Sequence, residues 1–139
     1  MIEVNYLAVL LAAVVFMAIG FLWYNPILFG KAWMKEKGLT AAHLKKEQSK
    51  MGKYYGMSFL AALVTAFVLS HVMAMSAAYF QLPMLQTGIT TAFWMWIGFV
   101  APTQFGATIF GNKNWKLFGI ETGYQLVGML AMSVVIAML

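Results

Sequence analysis

The chain has 139 residues, of which 63 % are apolar and only 9 % charged, and nine lysines against four glutamates leave a net charge of +5. It contains neither cysteine nor arginine. This balance excludes a disordered tail, a coiled coil and an ordinary soluble enzyme domain. It also removes disulfides, thiolate nucleophiles, sulfur-ligated zinc and bidentate arginine clamps. A single membrane domain over residues 1–139 is expected.

The first charge-free stretch covers the 27 residues between Glu3 and Lys31. A bilayer core about 30 Å thick is crossed by about 20 helical residues, so this stretch predicts a span over residues 4–25. The start, Met1-Ile2-Glu3, is acidic, and the apolar run ends in the bulky Trp23-Tyr24-Asn25-Pro26. A signal peptide shows the opposite features, a basic start and a small-residue cleavage site. A retained helix is therefore expected.

Residues 31–53 form a loop holding seven lysines. Within it Thr40 can cap a short helix reaching about Lys50, with Leu44 and Met51 turned toward the membrane. These lysines read first as determinants of topology. The competing reading is an anchor to anionic headgroups, worth about 1 kcal/mol per lysine. Without arginine or interleaved aromatic residues, the segment does not read as a nucleic-acid partner.

The next 59 residues, from Lys53 to Lys113, again carry no charge. As one helix they would be about 88 Å long, so the chain must break, and Gln81-Leu82-Pro83 supplies the break. That gives spans over residues 55–79 and 84–104. Pro102 deprives the Gly98 carbonyl of its usual partner and predicts a kink. If the helix resumes it reaches Phe110, leaving a turn of Gly111-Asn112-Lys113-Asn114. A last span follows over residues 115–138, with Glu121 its only charge. The fold class is thus an all-α integral membrane bundle of four transmembrane helices, with a short lysine-rich cytoplasmic helix between spans one and two. A β-barrel is excluded because segments such as Leu7 to Phe16 are apolar on every face, without the alternation that barrel strands need. The strings Pro26 then Phe29-Gly30-Lys31-Ala32-Trp33, and Pro102 then Phe110-Gly111-Asn112-Lys113-Asn114-Trp115, also resemble two copies of one hairpin.

All nine lysines fall on one side of this arrangement. The positive-inside rule makes that side cytoplasmic in a bacterial inner membrane and puts both termini outside.

Polar groups at membrane depth are the functional candidates. Glu121 lies about 7 to 8 Å inside the lysine-rich boundary, with Gln125 one turn further on the same face. Tyr24, Asn25, Ser58 and Gln104 reach the same level, as do Tyr54 and Thr103. This cluster fits a wet vestibule with Glu121 as proton acceptor or cation site, and equally a satisfied network locking helix ends. His71 lies about 21 to 24 Å from the same end, too far away to pair with Glu121. It reads either as a relay or as a neutral histidine bonded to a hydroxyl on another helix. In His71-Val72-Met73-Ala74-Met75, Met73 turns away from His71 and Met75, so no copper site is expected. The small-residue pairs Gly52/Gly56 and Gly119/Gly123 suit close helix approach. Trp94 and Trp96 sit deep in span three, where each indole N–H needs a partner. No HExxH, GxSxG or phosphate loop is present, so no enzyme, cofactor or metal site is expected.

Several strings carry a resemblance: Asn5-Tyr6-Leu7-Ala8-Val9, Leu22-Trp23-Tyr24-Asn25-Pro26 with Phe29-Gly30-Lys31-Ala32-Trp33-Met34, Gly38-Leu39-Thr40, Trp96-Ile97-Gly98-Phe99-Val100-Ala101-Pro102, Trp115-Lys116-Leu117-Phe118 and Gly123-Tyr124-Gln125-Leu126-Val127. Together they make the chain resemble the small bacterial membrane proteins called Domain of Unknown Function seventeen-sixty-one. The resemblance implies a four-span bacterial membrane protein and brings no substrate or catalytic residue. The expectation is a non-enzymatic protein in the lipid bilayer that forms a homo-oligomer and binds or passes a small solute or ion. The alternative is an accessory subunit with an unlike membrane partner.

Overall fold

The computed structural model describes residues 3–111 and 113–139. Asn5 opens the first helix, its side-chain oxygen accepting from the Ala8 N–H at 3.2 Å, and so meets one of the free donors of the first turn. Helix α1 runs Tyr6–Trp23. The chain then turns through Asn25, whose carbonyl accepts from the N–H groups of Leu28 and Gly30 at 2.9 and 3.0 Å. The turn is so tight that a Cβ on Gly30 would lie 2.3 Å from the Tyr24 carbonyl oxygen.

The segment between the first two spans holds two short helices, α2 Gly30–Lys37 and α3 Ala41–Glu47. Gly38 ends α2 in the left-handed conformation, φ 69°, as a helix-terminating glycine does. Thr40 caps α3 by accepting from the His43 N–H at 3.1 Å. A 3₁₀ turn, Gln48–Lys50, leads into α4, Met51–Phe80. Gln81 stops α4 in the left-handed region at φ 55°, and Leu82-Pro83 reverses the chain.

Helix α5, Met84–Met95, passes through a π-helical turn, Trp96–Val100, into α6, Ala101–Phe110. The disturbance expected from Pro102 therefore appears as a π turn just before the proline, where the Ala101 N–H reaches back five residues to the Trp96 carbonyl. A helix that adds a residue to one turn can absorb a missing donor without breaking. The helix runs on to Phe110, and the turn at 111–114 includes Asn112, which lies outside the described residues. The two proline strings occupy different local structures: Pro26 lies in an interhelical turn and Pro102 inside a long helix. Asn114 caps α7, Trp115–Met138.

Four helical segments are long and apolar enough to cross a membrane: α1, α3 continuing into α4, α5 continuing into α6, and α7. Their neighbours form a closed ring, with α1 against α4 and α7, and α5 against the same two. Asn5 and Leu139 meet at one end of the bundle, where the Asn5 amide donates to the Leu139 carbonyl at 3.3 Å. No lysine lies there; all nine lie at the other end.

The core is made of small side chains. Ala8, Ala12, Ala13, Ala62, Ala66 and Ala92 are buried, with Leu69, Met73 and Met132 filling the centre. Large apolar residues such as Leu60, Val64 and Phe99 face outward. In lipid, apolar surface gains nothing by turning inward, so association rests on close packing and on polar bonds between helices, and small residues allow that approach. Gly128 shows how tight the packing is: a Cβ there would sit 2.5 Å from two ring carbons of Phe16. Gly128→Ala is expected to destabilise the detergent-solubilised protein by about 1–3 kcal/mol through overpacking, read as a lower thermal unfolding midpoint. Gly52→Ala, where a Cβ meets open space, is expected to leave the midpoint unchanged or raise it slightly.

Candidate functional site

The lysine-rich end is organised around one turn of α7, residues 120–124. Three indoles from three separate elements reach it. Trp23, at the end of α1, donates to the Ile120 carbonyl at 2.9 Å. Trp96, opening the π turn, donates to the Thr122 carbonyl at 2.9 Å. Trp33, on α2, donates to Glu121 Oε1 at 3.3 Å. Tyr124 returns a bond by donating its hydroxyl to the Phe16 carbonyl of α1 at 3.0 Å, crossing over Gly20, where a Cβ would lie 2.7 Å from that oxygen.

Glu121 also pairs with Lys37 Nζ at 3.5 Å, the two side chains being 27 % and 40 % exposed. Lys37 Nζ in turn stands 5.3 Å from the centre of the Trp33 ring. A second set of contacts fixes the same short helix: Asn114 donates to Glu36 Oε2 at 2.8 Å and Lys116 lies 3.9 Å from Glu36 Oε1. Half-exposed pairs of this kind contribute at most about 1 kcal/mol each. Their effect is to hold α2 across the end of α7.

Behind this clamp lies a cleft of about 470 Å³. Met17, Gly20, Phe21 and Tyr24 line it from the α1 side, Trp33 and Met34 from α2, and Tyr124 from α7. Leu44, Met51, Tyr55 and Ser58 close the remaining side. Tyr24 stands edge-on to both Trp33 and Tyr124, with ring centres 5.3 and 5.4 Å away. A pocket of this size with apolar, aromatic and methionine walls and few polar groups suits a small amphipathic molecule.

The structure thus brings Tyr24 and Ser58 to one cleft, with Glu121 tied to its Trp33 wall. Asn25 serves the turn instead, its side chain accepting from the Ile27 N–H at 3.0 Å. Gln125 and Gln104 are half-buried, and neither side chain has a hydrogen bond among the described residues; the Gln104 backbone carbonyl takes the Thr108 hydroxyl at 2.8 Å. Trp33, Lys37 and Tyr124 are the contributors that the sequence reading leaves out of the cluster. For Trp33 and Lys37 a signal was available: they are one helical turn apart, and Lys37 directly precedes a glycine stop.

His71 lies elsewhere, half-buried on α4. Its Nδ1 donates to the Phe67 carbonyl of its own helix at 2.9 Å, and its ring stands edge-on to Phe67 at 4.4 Å. The hydroxyl partner on another helix that the sequence suggests is replaced by this local bond. Since a carbonyl only accepts, Nδ1 carries the proton in this arrangement. Of the glycine pairs, Gly123 works within the bundle, a Cβ there meeting Trp23 at 3.2 Å, whereas Gly52, Gly56 and Gly119 face open space.

The molecule is thus a ring of four apolar helices, each long and apolar enough to cross a membrane, capped by lysines at one end and with a cleft at that end. The chain belongs to the family described as protein of unknown function (DUF1761), which matches residues 7–137. Comparison with curated proteins and with solved structures gives no match.

Removing the Trp96 donor by Trp96→Phe is expected to cost about 1 kcal/mol of stability, the typical worth of a polar bond between membrane helices. Trp94→Phe is the control, because Trp94 is 65 % exposed and its indole has no hydrogen bond among the described residues. Thermal unfolding of the two variants in the same detergent checks the difference.

Proposed function

We propose that this protein binds a small amphipathic solute at its lysine-rich end and catalyses no reaction. The observation that carries this reading is the cleft of about 470 Å³, walled by methionine and aromatic side chains and adjoining the Glu121–Lys37 pair. Lysine dominates the charge around it, which favours a neutral or anionic polar end over a cation. Binding is preferred to passage because the middle of the bundle is filled: Leu69, Met73, Met132 and Ser133 are fully buried there. Four helices pack a solid core more readily than a pore.

The same reading places the lysine-rich end in the cytoplasm of a bacterial inner membrane, following the positive-inside rule, with both termini outside. It includes association of copies through the outward side of α5–α6. Gly98, Pro102 and Gly106 recur there every four residues, and the two glycines meet open space, a spacing that lets a second helix approach closely.

Native mass spectrometry of protein extracted directly from membranes tests the reading. A small-molecule adduct is expected on the wild type and should be lost in Ser58→Phe, which fills the cleft from α4. A wild type without adduct, or an adduct indifferent to that substitution, sinks it. Recovery of a second polypeptide in equal amount would favour the accessory-subunit reading instead.

A further inference from the structure

A second cleft, of about 390 Å³, opens at the opposite, lysine-free end between α4 and α5. Val72, Ser76 and Phe80 face it from α4, and Thr87, Thr91 and Trp94 from α5. Its lining contains no ionisable side chain. Burying an unpaired charge there would be costly, so the walls select against charged headgroups.

One group in this wall is unsatisfied. Threonines in this chain usually spend their hydroxyl on the carbonyl four residues back: Thr65, Thr90, Thr103 and Thr108 do so at 2.6 to 3.1 Å. Thr87 departs from the pattern. It is 4 % exposed, and its hydroxyl has no hydrogen-bond partner among the described residues. The Pro83 carbonyl, four residues back, accepts the Thr87 backbone N–H at 3.0 Å. An unmet hydroxyl in an apolar surrounding costs about 1–3 kcal/mol. What the site lacks is an acceptor, and the aromatic faces of Phe80 and Trp94 add a preference for a flat, apolar body.

We propose that this cleft binds an uncharged, planar, lipid-soluble carbonyl compound of the quinone class, reached from the bilayer. Thr87 lines the cleft, and its hydroxyl, turned toward the ligand, would donate to a carbonyl oxygen of it. Trp94, about 10 Å deeper along α5 than Thr87, packs against the ring or the start of its tail. The proposal concerns binding alone, and it stands independently of the cleft at the lysine-rich end.

Titration of the purified full chain in detergent micelles with a benzoquinone carrying one isoprene unit tests it through tryptophan fluorescence. Saturable quenching is expected in the wild type, with its saturable part abolished in Trp94→Phe. Thr87→Val, which keeps the shape and removes the hydroxyl, is expected to weaken apparent binding about tenfold; Thr87→Ser should bind as the wild type does. If Thr87→Val fails to fold, Val72→Phe fills the cleft from the other helix and should abolish saturation. Quenching that rises linearly with quinone in the wild type, or saturates equally in Thr87→Val, overturns the proposal. Displacement of the quinone by neutral diacylglycerol but not by a second quinone would assign the cleft to lipid esters and overturn it as well.

Discussion

Indole N–H groups in so apolar a bundle have few places to go, and three of them go to one turn of α7. Trp23 and Trp96 use the second lone pair of helix carbonyls at Ile120 and Thr122, and Trp33 uses the carboxylate between them. Because α7 supplies these acceptors from its backbone and from Glu121, it can bind a neighbour on each side without giving up its own helix bonds. Each such bond contributes about 1 kcal/mol or less. Their convergence nevertheless fixes the register of α1, α2 and the π turn against the same turn of one helix. The remainder of the bundle can then be sealed by alanine faces that have little directional preference of their own.

The glycines show how aromatic rings fit into so thin a core. Phe16 lies over Gly128 and stacks on Tyr124 with ring centres 4.8 Å apart, while the Tyr124 hydroxyl passes over Gly20. One ring on α1 occupies the space left by a missing side chain on α7, and one ring on α7 does the same on α1. The exchange is reciprocal, so α1 and α7 approach closely while seating two large rings between them. One ring of the pair, Tyr124, also lines the methionine-rich cleft, together with Met17 and Gly20 of α1. Tight packing along α1 and α7 and an open space beside them therefore have a common origin.

Charge spacing made the long helices legible. Uncharged stretches of 27 and 59 residues have room for one and two helices of membrane-spanning length, and the structure has helices there, α1, α4 and α5 with α6. Short elements were harder. α2 is eight residues long, too short for periodicity to declare, and its signal lay only in Gly38 and the lysines before it. Since α2 was not expected, neither were Trp33 and Lys37 as partners of Glu121. Depth along a helix is readable from sequence, but rotation about its axis is not. The sequence therefore puts Tyr24 and Gln104 at one level with equal justification, although Tyr24 packs against Trp33 and the Gln104 side chain has no bond to Glu121 among the described residues. Bonds from an indole to a backbone carbonyl leave no motif at the acceptor, which is why the role of Ile120 and Thr122 was invisible.

The two halves of the segment between α1 and α4 are held in different ways. α2 is tied to α7 by Glu36 with Asn114 and Lys116 and by Lys37 with Glu121. In α3 the polar contacts stay local: Thr40 caps it, and Glu47 meets Lys50 at 3.9 Å and Tyr54 at 3.5 Å. The cleft therefore has one wall, with Trp33 and Met34, braced against a spanning helix. The opposite wall, with Leu44 and Met51, is joined mainly through the start of α4. A 3₁₀ turn at residues 48–50 separates Leu44 from that start, and 3₁₀ bonds are weaker than α-helical ones. If the cleft admits a solute, the side that yields is the one carrying Leu44, because among the described residues it has no polar bond to α7, whereas moving α2 breaks the contacts of Trp33, Glu36 and Lys37 at once.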